Sequence, residues 1–315
     1  MKILVTGATG FIGRRLVEAL FEDGHTMVCQ MRDSSDTSLL EKIGVRLVNF
    51  DLKDAGATAK AIGEEKPDVV FHSAALVWDD DLARLMDANA TGTRNLCEAC
   101  YGHGVEKLIY LSTIAVISGN PEVPLTDELP YKTSNNYGRS KAEAERIVMD
   151  YRSKGLKAAV IRPCIVYGED EPHALDRIFK AICHRRVPVL DIPEMDGRFN
   201  LVYVGNVVKI LKLALEKDEA LEGTFIVTDI DIITFRRFLE IVYDEFGVGP
   251  PPVVPGWLSR MMMVIPPFRR KVNDFLKERL YDTSRAVEML GYDPEISTEE
   301  GLRRTVRYWK RKSHV

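Results

Sequence analysis

Short apolar runs alternate with helix-forming segments through the first half of the chain. Each run is rich in Val, Ile and Leu, and the residues that follow it place apolar side chains at helical spacing. This alternation predicts strands at 3–5, 27–31, 46–50, 68–71, 107–111 and 158–161. Strands of this kind, separated by helices, belong to parallel sheets that are covered on both faces. The pattern therefore predicts an α/β protein built on a doubly wound parallel sheet.

The first strand runs directly into the glycine-rich turn Thr6-Gly-Ala-Thr-Gly-Phe-Ile-Gly13, which precedes an amphipathic helix. Gly7 permits the tight turn, Gly10 lets the backbone approach a pyrophosphate at the helix N-terminus, and Gly13 allows helix and strand to pack closely. A glycine triplet alone is weak evidence, but here it has the strand, turn and helix that the mechanism demands. The turn therefore predicts a dinucleotide-binding site.

Residues at the ends of the next two strands bear on the choice of dinucleotide. A carboxylate after the second strand would accept hydrogen bonds from the ribose hydroxyls of NAD. Here Met31 is instead followed by Arg32, and a guanidinium suits the 2′-phosphate of NADP. NADP is therefore favoured over NAD, although Arg32 and Asp33 could instead form a surface pair. Asp51, after the third strand, is placed to accept a hydrogen bond from an adenine amino group.

Tyr137 and Lys141 lie four residues apart where the chain is rich in good helix formers, so they share one helix face. A nearby ammonium lowers a tyrosine pKa toward neutrality, and Tyr137 could then exchange a proton with an alcohol or carbonyl oxygen. Alone, such a pair usually marks a solvated helix face, and the glycine-rich turn is what favours catalysis. Ser112 and Thr113 follow the fifth strand, at the edge where open parallel sheets bind ligands.

Composition and charge exclude several classes of protein. With 45% hydrophobic residues and a net charge of -4, the chain has ordinary globular composition and no general attraction to nucleic acid or anionic membranes. The sequence begins directly with a predicted strand, so we expect a cytoplasmic protein. Its five cysteines are odd in number and scattered, so we expect reduced thiols and no metal site. No apolar run is long enough to span a bilayer.

The stretch 250–267 is apolar, bounded by prolines and interrupted by Arg260. Three interpretations of it stay open, namely an interfacial helix, an apolar lid over the substrate, and a core helix between prolines.

The motifs recur in the order and at the spacing of a known family. They are the glycine-rich turn, Asp51-Leu52, Asn89, Ser112-Thr113, Tyr137 with Lys141, and Arg162-Pro163. Over about residues 1 to 215 the chain resembles the extended short-chain dehydrogenase/reductase family, of the NAD-dependent epimerase/dehydratase type. Segments 28–33 and 111–116 are most similar to the branch of dihydroflavonol reductases and 3β-hydroxysteroid dehydrogenases.

The resemblance implies an NAD(P)-binding Rossmann fold with a smaller C-terminal substrate-binding subdomain. Residues 1–168 would form the dinucleotide-binding domain, to which 201–215 would return, and 169–315 would be mainly the substrate-binding subdomain, with a strand at 224–227. A homodimer is implied as well, through helices around 82–102 and 140–151.

The resemblance also implies the site residues. Tyr137 would be the acid/base, Lys141 would lower its pKa and hold the nicotinamide ribose, and Thr113 would bind the substrate oxygen. Thr113 fits this position if the turn carries one inserted residue, and Ser112 is the fallback. Cofactor contacts are implied at Gly7, Gly10, Phe11, Ile12, Arg32, Asp51, Leu52, Ala74, Asn89, Tyr137, Lys141 and Pro163.

The first functional hypothesis is an NADP-dependent oxidoreductase that interconverts a secondary alcohol and a ketone on a small, fairly apolar molecule. The alternatives are a nucleotide-sugar 4-epimerase with tightly bound NAD and a non-catalytic protein that senses NADP(H). Ile114-Ala115 stand where dehydratases of this family carry Asp-Glu, which disfavours dehydration. Arg198 is displaced and Asn206 replaces an aspartate relative to sugar-nucleotide enzymes, which disfavours a substrate that contains pyrophosphate.

Overall fold

The computed structural model describes residues 1–171, 175–184 and 187–313. The chain forms two compact units. Unit 1 comprises Met1–Cys164, Val207–Val227 and Asp282–Asp293. Unit 2 comprises the described parts of Ile165–Asn206, Thr228–Tyr281 and Pro294–Val315. Each unit is therefore assembled from three separate segments of the chain.

The strands are divided between the two units. Those of unit 1 are β1 (Lys2–Thr6), β2 (Thr26–Met31), β3 (Arg46–Asn49), β4 (Val69–His72), β5 (Lys107–Leu111), β6 (Ala158–Pro163) and β11 (Thr224–Val227). Those of unit 2 are β7 (Ile165–Tyr167), β8 (Val189–Leu190), β9 (Arg198–Phe199), β10 (Leu201–Tyr203), β12 (Ile233–Thr234) and β13 (Val253–Val254).

The α-helices are α1 (Phe11–Glu22), α2 (Ser38–Ile43), α3 (Ala55–Glu65), α4 (Leu82–Leu85), α5 (Gly92–Gly102), α6 (Asn136–Ser153), α7 (Leu175–Cys183), α8 (Val204–Glu216), α9 (Phe235–Phe246), α10 (Gly256–Met263), α11 (Pro266–Leu276), α12 (Ser284–Leu290) and α13 (Thr298–Ser313). A π-helical segment, Met86–Thr91, joins α4 to α5. None of the helices in the described part of the chain is both long and apolar enough to cross a membrane.

Unit 1 contains a seven-stranded parallel sheet in the order β3-β2-β1-β4-β5-β6-β11. The apolar run that predicted β1 lies at its centre, where Ile3, Leu4 and Val5 are fully buried. The order reverses between β1 and β4, and in open α/β sheets the ligand crevice lies outside the strand ends at such a point. The predicted doubly wound parallel sheet is confirmed, and its crevice falls beside the glycine-rich turn.

The assignment of two strands was wrong. β10 was expected to return to the main sheet, but it pairs with β7 in a separate two-stranded sheet of unit 2. β11 was assigned to the smaller subdomain, but it pairs with β6 at the edge of the seven-stranded sheet. Both are short buried runs, so their hydrophobic pattern cannot identify the partner strand. From Val207 onward, α8 does belong to unit 1.

Unit 2 is organised around the buried carboxylate of Asp229. Asp229 accepts hydrogen bonds from the Asn206 amide at 2.7 Å, the Tyr203 backbone N–H at 2.8 Å and the Tyr167 hydroxyl at 2.9 Å. Asn206 is also tied to the backbone of Ile296. Asn206, singled out in the sequence, therefore joins segments of unit 2, and the displaced Arg198 forms an ion pair with Glu278 at 2.7 Å.

Candidate active site

The glycine-rich turn after β1 is closed against the loop that follows β4. Gly7 has a positive φ of 68°, and a Cβ on it would lie 2.7 Å from the Cα of Ala74, so no other residue fits there. Gly10 donates its N–H to the carbonyl of Gly7 at 2.9 Å and precedes α1 without a side-chain cap. The first N–H groups of α1, at Phe11 and Ile12, therefore have no capping side chain from Gly10.

A cavity of about 380 Å³ opens beside this turn. Half of the predicted cofactor residues line it, namely Gly7, Gly10, Arg32, Asp51, Leu52 and Ala74. They come from the ends of different strands of unit 1, which meet at one edge because the strands are parallel.

Arg32 lies at the rim of the cavity with an exposed side chain. Across the described residues its guanidinium has no ion-pair partner, and Asp33 instead accepts a hydrogen bond from the amide of Asn49 at 2.5 Å. The surface pair between Arg32 and Asp33 is therefore not formed. Ser35, which also lines the cavity, accepts a hydrogen bond from the Arg32 backbone N–H at 3.0 Å.

Several residues of the cavity were missed by sequence reasoning. Gln30 is buried in β2, where its Oε1 accepts the Gly7 N–H at 3.3 Å and its Nε2 donates to the Phe50 carbonyl at 2.7 Å. A lone glutamine inside an apolar strand was the signal for this bridge. Lys53 lies 3.8 Å from the Asp51 carboxylate and 3.6 Å from that of Asp87, so the cavity wall carries charges of both signs.

Thr113 and Tyr137 meet at the end of β5. Thr113 follows that strand, and its hydroxyl lies close enough to the phenol of Tyr137, in the first turn of α6, to lower the pKa of that phenol. A Cβ on Gly138 would lie 2.6 Å from the Ala115 carbonyl oxygen, so a glycine there lets α6 approach the strand end closely. Helix α6 starts at this point because the side chain of Asn135 accepts the Gly138 N–H at 2.7 Å.

Lys141 is almost fully buried one helical turn after Tyr137. Its ammonium nitrogen donates to the Leu111 carbonyl at 2.8 Å and lies 4.2 Å from the centre of the Tyr110 ring. Burial lowers the pKa of Lys141 to about 7, and the negative charge of Glu145 opposes that shift. The lysine is thus held at the C-terminal end of the strand that delivers Thr113.

The pKa of Tyr137 does not follow the prediction. Burial raises it to about 12, and the hydrogen bond from Thr113 opposes this rise. The sequence analysis expected the Lys141 ammonium to lower the tyrosine pKa, but that ammonium is directed to the Leu111 carbonyl. The prediction was wrong because helical spacing gives the shared face and not the degree of burial or the direction of the ammonium.

Ser112, the fallback for Thr113, has a different partner. Its hydroxyl donates to the buried carboxylate of Glu145 at 2.6 Å. Glu145 also accepts the Tyr131 hydroxyl at 2.9 Å and forms a buried ion pair with Arg162 at 2.5 Å. This network fixes α6 to β6, and of the two neighbouring hydroxyls only that of Thr113 contacts Tyr137.

Asn89 and Pro163, predicted to contact the cofactor, lie outside the lining of the cavity. The Asn89 amide group binds both the N–H and the C=O of Leu76, at 2.7 and 2.8 Å, and donates to Ser140 at 2.9 Å. Both amide hydrogens are thereby used within the protein, and Asn89 holds the loop after β4 in place. Pro163 ends β6 beside Val227 of β11.

His72 at the end of β4 is buried between two hydroxyls. Its ring nitrogens lie 2.7 Å from the Thr6 hydroxyl and 2.9 Å from that of Thr93. Burial, with the nearby charge of Lys141, lowers the pKa of His72 to about 3, so the ring is neutral. This environment indicates a structural role for His72.

Residues 3–227 match the sequence model of the NAD dependent epimerase/dehydratase family. The chain belongs to this family. The matched region covers all seven strands of the unit 1 sheet together with the cavity, Thr113, Tyr137 and Lys141.

Curated relatives of this epimerase/dehydratase family member span several reactions. It is 27% identical to the 3 beta-hydroxysteroid dehydrogenase/Delta 5-4-isomerase of Mycobacterium tuberculosis, over 98% of this chain and 90% of that protein. It is 29% identical to the UDP-glucose 4-epimerase of Mycolicibacterium smegmatis, over 99% of this chain and 100% of that protein. These matches show that the chain is an enzyme of the extended short-chain dehydrogenase/reductase type.

A solved member of the same type has the same fold. The UDP-glucose 4-epimerase of Thermus thermophilus, in complex with NAD, is 29% identical and has a TM-score of 0.78, covering 98% of this chain and 99% of that one. In the epimerase/dehydratase family member described here, the turn that only Gly7 fits, the start of α1 without a side-chain cap and the adjoining cavity suit a dinucleotide of the NAD type.

Proposed function

We propose that the protein is an NADP-dependent oxidoreductase that interconverts a secondary alcohol and a ketone on a small, fairly apolar molecule. The observation that carries the proposal is the contact between the Thr113 hydroxyl and the Tyr137 phenol, with Lys141 held at the same strand end. A phenol paired with a hydroxyl offers one proton donor and one group that orients an oxygen. Substrate recognition is assigned in this proposal to the C-terminal region.

The protein side chains handle the proton and the oxygen in this proposal. When bound, the cofactor supplies or accepts a hydride at the carbinol carbon. Tyr137 gives its proton to the oxygen during reduction and takes it back during oxidation, while Thr113 donates a hydrogen bond that orients the same oxygen. Because burial keeps the pKa of Tyr137 near 12, the phenol is protonated at neutral pH and ready to act as the acid.

The preference for NADP rests on the rim of the cavity. Arg32 has an exposed guanidinium without an ion-pair partner among the described side chains, and Ser35 is beside it in the lining. A guanidinium and a hydroxyl suit a phosphate monoester, whereas a ribose with two hydroxyls favours a carboxylate. In this proposal Arg32 and Ser35 hold the 2′-phosphate, and Asp51 accepts a hydrogen bond from the adenine.

The residues after Thr113 argue against dehydration, and one relative supports an apolar substrate. Ile114 and Ala115 follow Thr113, so no acid/base pair for elimination is present there. The relative from Mycobacterium tuberculosis is named for a hydroxysteroid. A cytoplasmic homodimer is part of the same proposal, and sedimentation velocity of the purified protein tests the dimer.

Epimerisation of a nucleotide sugar is the competing function, and the names of two relatives favour it. Such an enzyme oxidises its substrate and reduces it again in one site with a retained cofactor, and the pair of Tyr137 and Lys141 would serve equally well. Against it stands Arg198, whose guanidinium is engaged by Glu278 at 2.7 Å.

The deciding experiment is to denature the freshly purified protein, identify any released nucleotide, and titrate the emptied protein with NADPH and NADH. The proposal expects little retained nucleotide, tighter binding of NADPH, and net consumption of NADPH with a panel of ketones graded by polarity. Retention of one equivalent of NAD, with turnover of UDP-sugars and no net use of cofactor, would instead establish the epimerase.

A further inference from the structure

Helix α10 buries a serine and exposes two large apolar side chains. Ser259 is its one buried residue, with its hydroxyl donating to the Val254 carbonyl at 3.1 Å and accepting the Asp191 N–H at 3.2 Å. Trp257 and Met261 are exposed to 69% and 62%. The interpretation of 250–267 as a core helix is therefore wrong, because the one fully buried residue of α10 is a serine, whereas Leu258, Met262 and Met263 are only half-buried.

The exposed apolar face continues past the end of α10. Trp257 and Met261 are four residues apart on α10, and Val264 and Ile265 follow directly after its last residue, Met263. Val264 is 77% exposed and Ile265 53% exposed. Four large apolar side chains in one row are more than the scattered exposed apolar residues of an ordinary surface, and such a row marks an interaction site. We call these four residues the α10 ridge.

The charges that flank the α10 ridge in the sequence have one sign, although in space the carboxylate of Asp191 lies next to Gly256 at the start of α10. The sequence from 253 to 273 contains Arg260, Arg269, Arg270 and Lys271 and no acidic residue, although the whole chain has a net charge of -4. Arg260 and Arg269 are exposed. Exposed apolar side chains flanked in the sequence by several cations complement a surface that is anionic outside and apolar just below.

We propose that the α10 ridge docks on the surface of an anionic phospholipid bilayer, with its four apolar side chains inserted at the level of the headgroups. Arg260 and Arg269 contact the lipid phosphates. The hydrogen bonds of Ser259 hold α10 in this orientation, so the ridge is presented without a change of conformation. The docking is peripheral, and it does not depend on which reaction the enzyme catalyses.

The test is flotation of the full-length protein with phosphatidylcholine vesicles, with and without an equal part of phosphatidylglycerol. We expect binding to the anionic vesicles only, and weaker binding at high salt because surface charges are screened. Trp257→Ser should weaken binding about tenfold through lost apolar burial. Arg260→Gln should weaken it about fivefold, the contribution of one basic residue near such a surface.

Two matched variants control for general effects of exposure and charge. Ile230→Ser removes an apolar side chain that is 67% exposed, and Lys60→Gln removes a cationic side chain that is 74% exposed. Both should bind vesicles like the unaltered protein, and circular dichroism should show all four variants folded. Absence of binding to anionic vesicles, or equal binding by all four variants, would overturn the proposal. Self-association that Trp257→Ser abolishes, without vesicle binding, would overturn it as well and make the ridge an interface between copies.

Discussion

At the scale of single residues, burial decides the protonation of Tyr137 and Lys141. It disfavours the charged form of each, so the pKa of the phenol rises to about 12 and that of the ammonium falls to about 7. The two pKa values, which are close to each other in the unfolded chain, are thereby moved apart. Near neutral pH the phenol is protonated, while the lysine is close to its midpoint.

Tyr137→Phe removes the proposed acid/base and keeps the ring that fills the site. We expect the turnover rate to fall at least about 100-fold, the usual contribution of a positioned acid/base, while NADPH still binds. Steady-state rates with a reducible ketone and a fluorescence titration of NADPH measure the two effects. Tyr101→Phe, at a tyrosine that is 49% exposed on α5, is the control and should keep full activity. Full activity in Tyr137→Phe would exclude the mechanism.

Lys141→Met tests the lowered pKa through stability. In the native protein Lys141 titrates at about 7 and in the unfolded chain at about 10.5, so between these values the folded state binds fewer protons. The free energy of unfolding of the unaltered protein therefore rises with pH across the window between about 7 and 10.5. Below pH 7 the buried ammonium is charged, and its burial destabilises the folded state to the full extent. The variant should be more stable by about 2 kcal/mol below that window, and its advantage should shrink as the pH approaches 10.5.

Chemical unfolding at a series of pH values measures this difference. Lys60→Met, at an exposed lysine on α3, should show no such pH-dependent gap from the unaltered protein. A gap for Lys141→Met that stays constant across the window would contradict the assigned pKa.

Positions at strand ends were predictable, and the hydrogen bonds of particular side chains were not. Arg32, Asp51 and Ala74 follow strands, and parallel strands bring their ends to one edge. Gln30 and Asn89 are examples of hydrogen bonds that the sequence pattern does not predict. The amide group of each donates to a backbone carbonyl that is distant in sequence. Nothing in local spacing gives such a partner, and the same holds for the burial that raises the pKa of Tyr137.

At the scale of elements, the approach of α6 to the end of β5 brings the Thr113 and Tyr137 hydroxyls together. Gly138 is where the helix touches Ala115 in the turn that follows β5, and the ion pair of Glu145 with Arg162 fixes the same helix to β6 further along. The helix is thus fixed at two points, one steric and one electrostatic.

Gly138→Ala places a methyl group 2.6 Å from the Ala115 carbonyl oxygen. We expect the free energy of unfolding to fall by about 2 kcal/mol, the usual effect of overpacking, and turnover to fall as Tyr137 moves away from Thr113. Gly102→Ala is the control within α5, where an added methyl meets nothing within 4 Å, and its stability should be unchanged or slightly higher. Equal stability of the two variants in urea unfolding would exclude this tight contact.

The exchange of β10 and β11 shows where element-level prediction stops. Both strands were found at nearly the predicted residues. However, β10 was assigned to the main sheet and pairs in unit 2, whereas β11 was assigned to the smaller subdomain and pairs in the main sheet. Strand formation depends on local pattern, whereas pairing depends on the path of the chain between strands. The proline- and glycine-punctuated stretch after Gly168 gives no regular spacing from which that path could be read.

At the scale of the whole molecule, cofactor binding should raise thermal stability. A ligand that binds only the folded state at about 100 times its dissociation constant stabilises it by about 2.7 kcal/mol. We expect a larger rise in Tm with NADPH than with NADH at equal concentration. Arg32→Ala should reduce the rise with NADPH and leave that with NADH unchanged, while Arg146→Ala, on the exposed face of α6, should change neither. A rise with NADH that exceeds the rise with NADPH would exclude the assigned preference.

The three-segment construction of unit 1 affects how the protein is made. A ribosome releases β6 long before β11, so the nascent sheet has an open edge at β6 until residues 224–227 emerge. The last segment, Asp282–Asp293, arrives later still. Unpaired strand edges recruit other chains, so the growing polypeptide passes through an aggregation-prone stage. An expression plasmid that stops after residue 168 would make that stage permanent, and its product should accumulate in inclusion bodies.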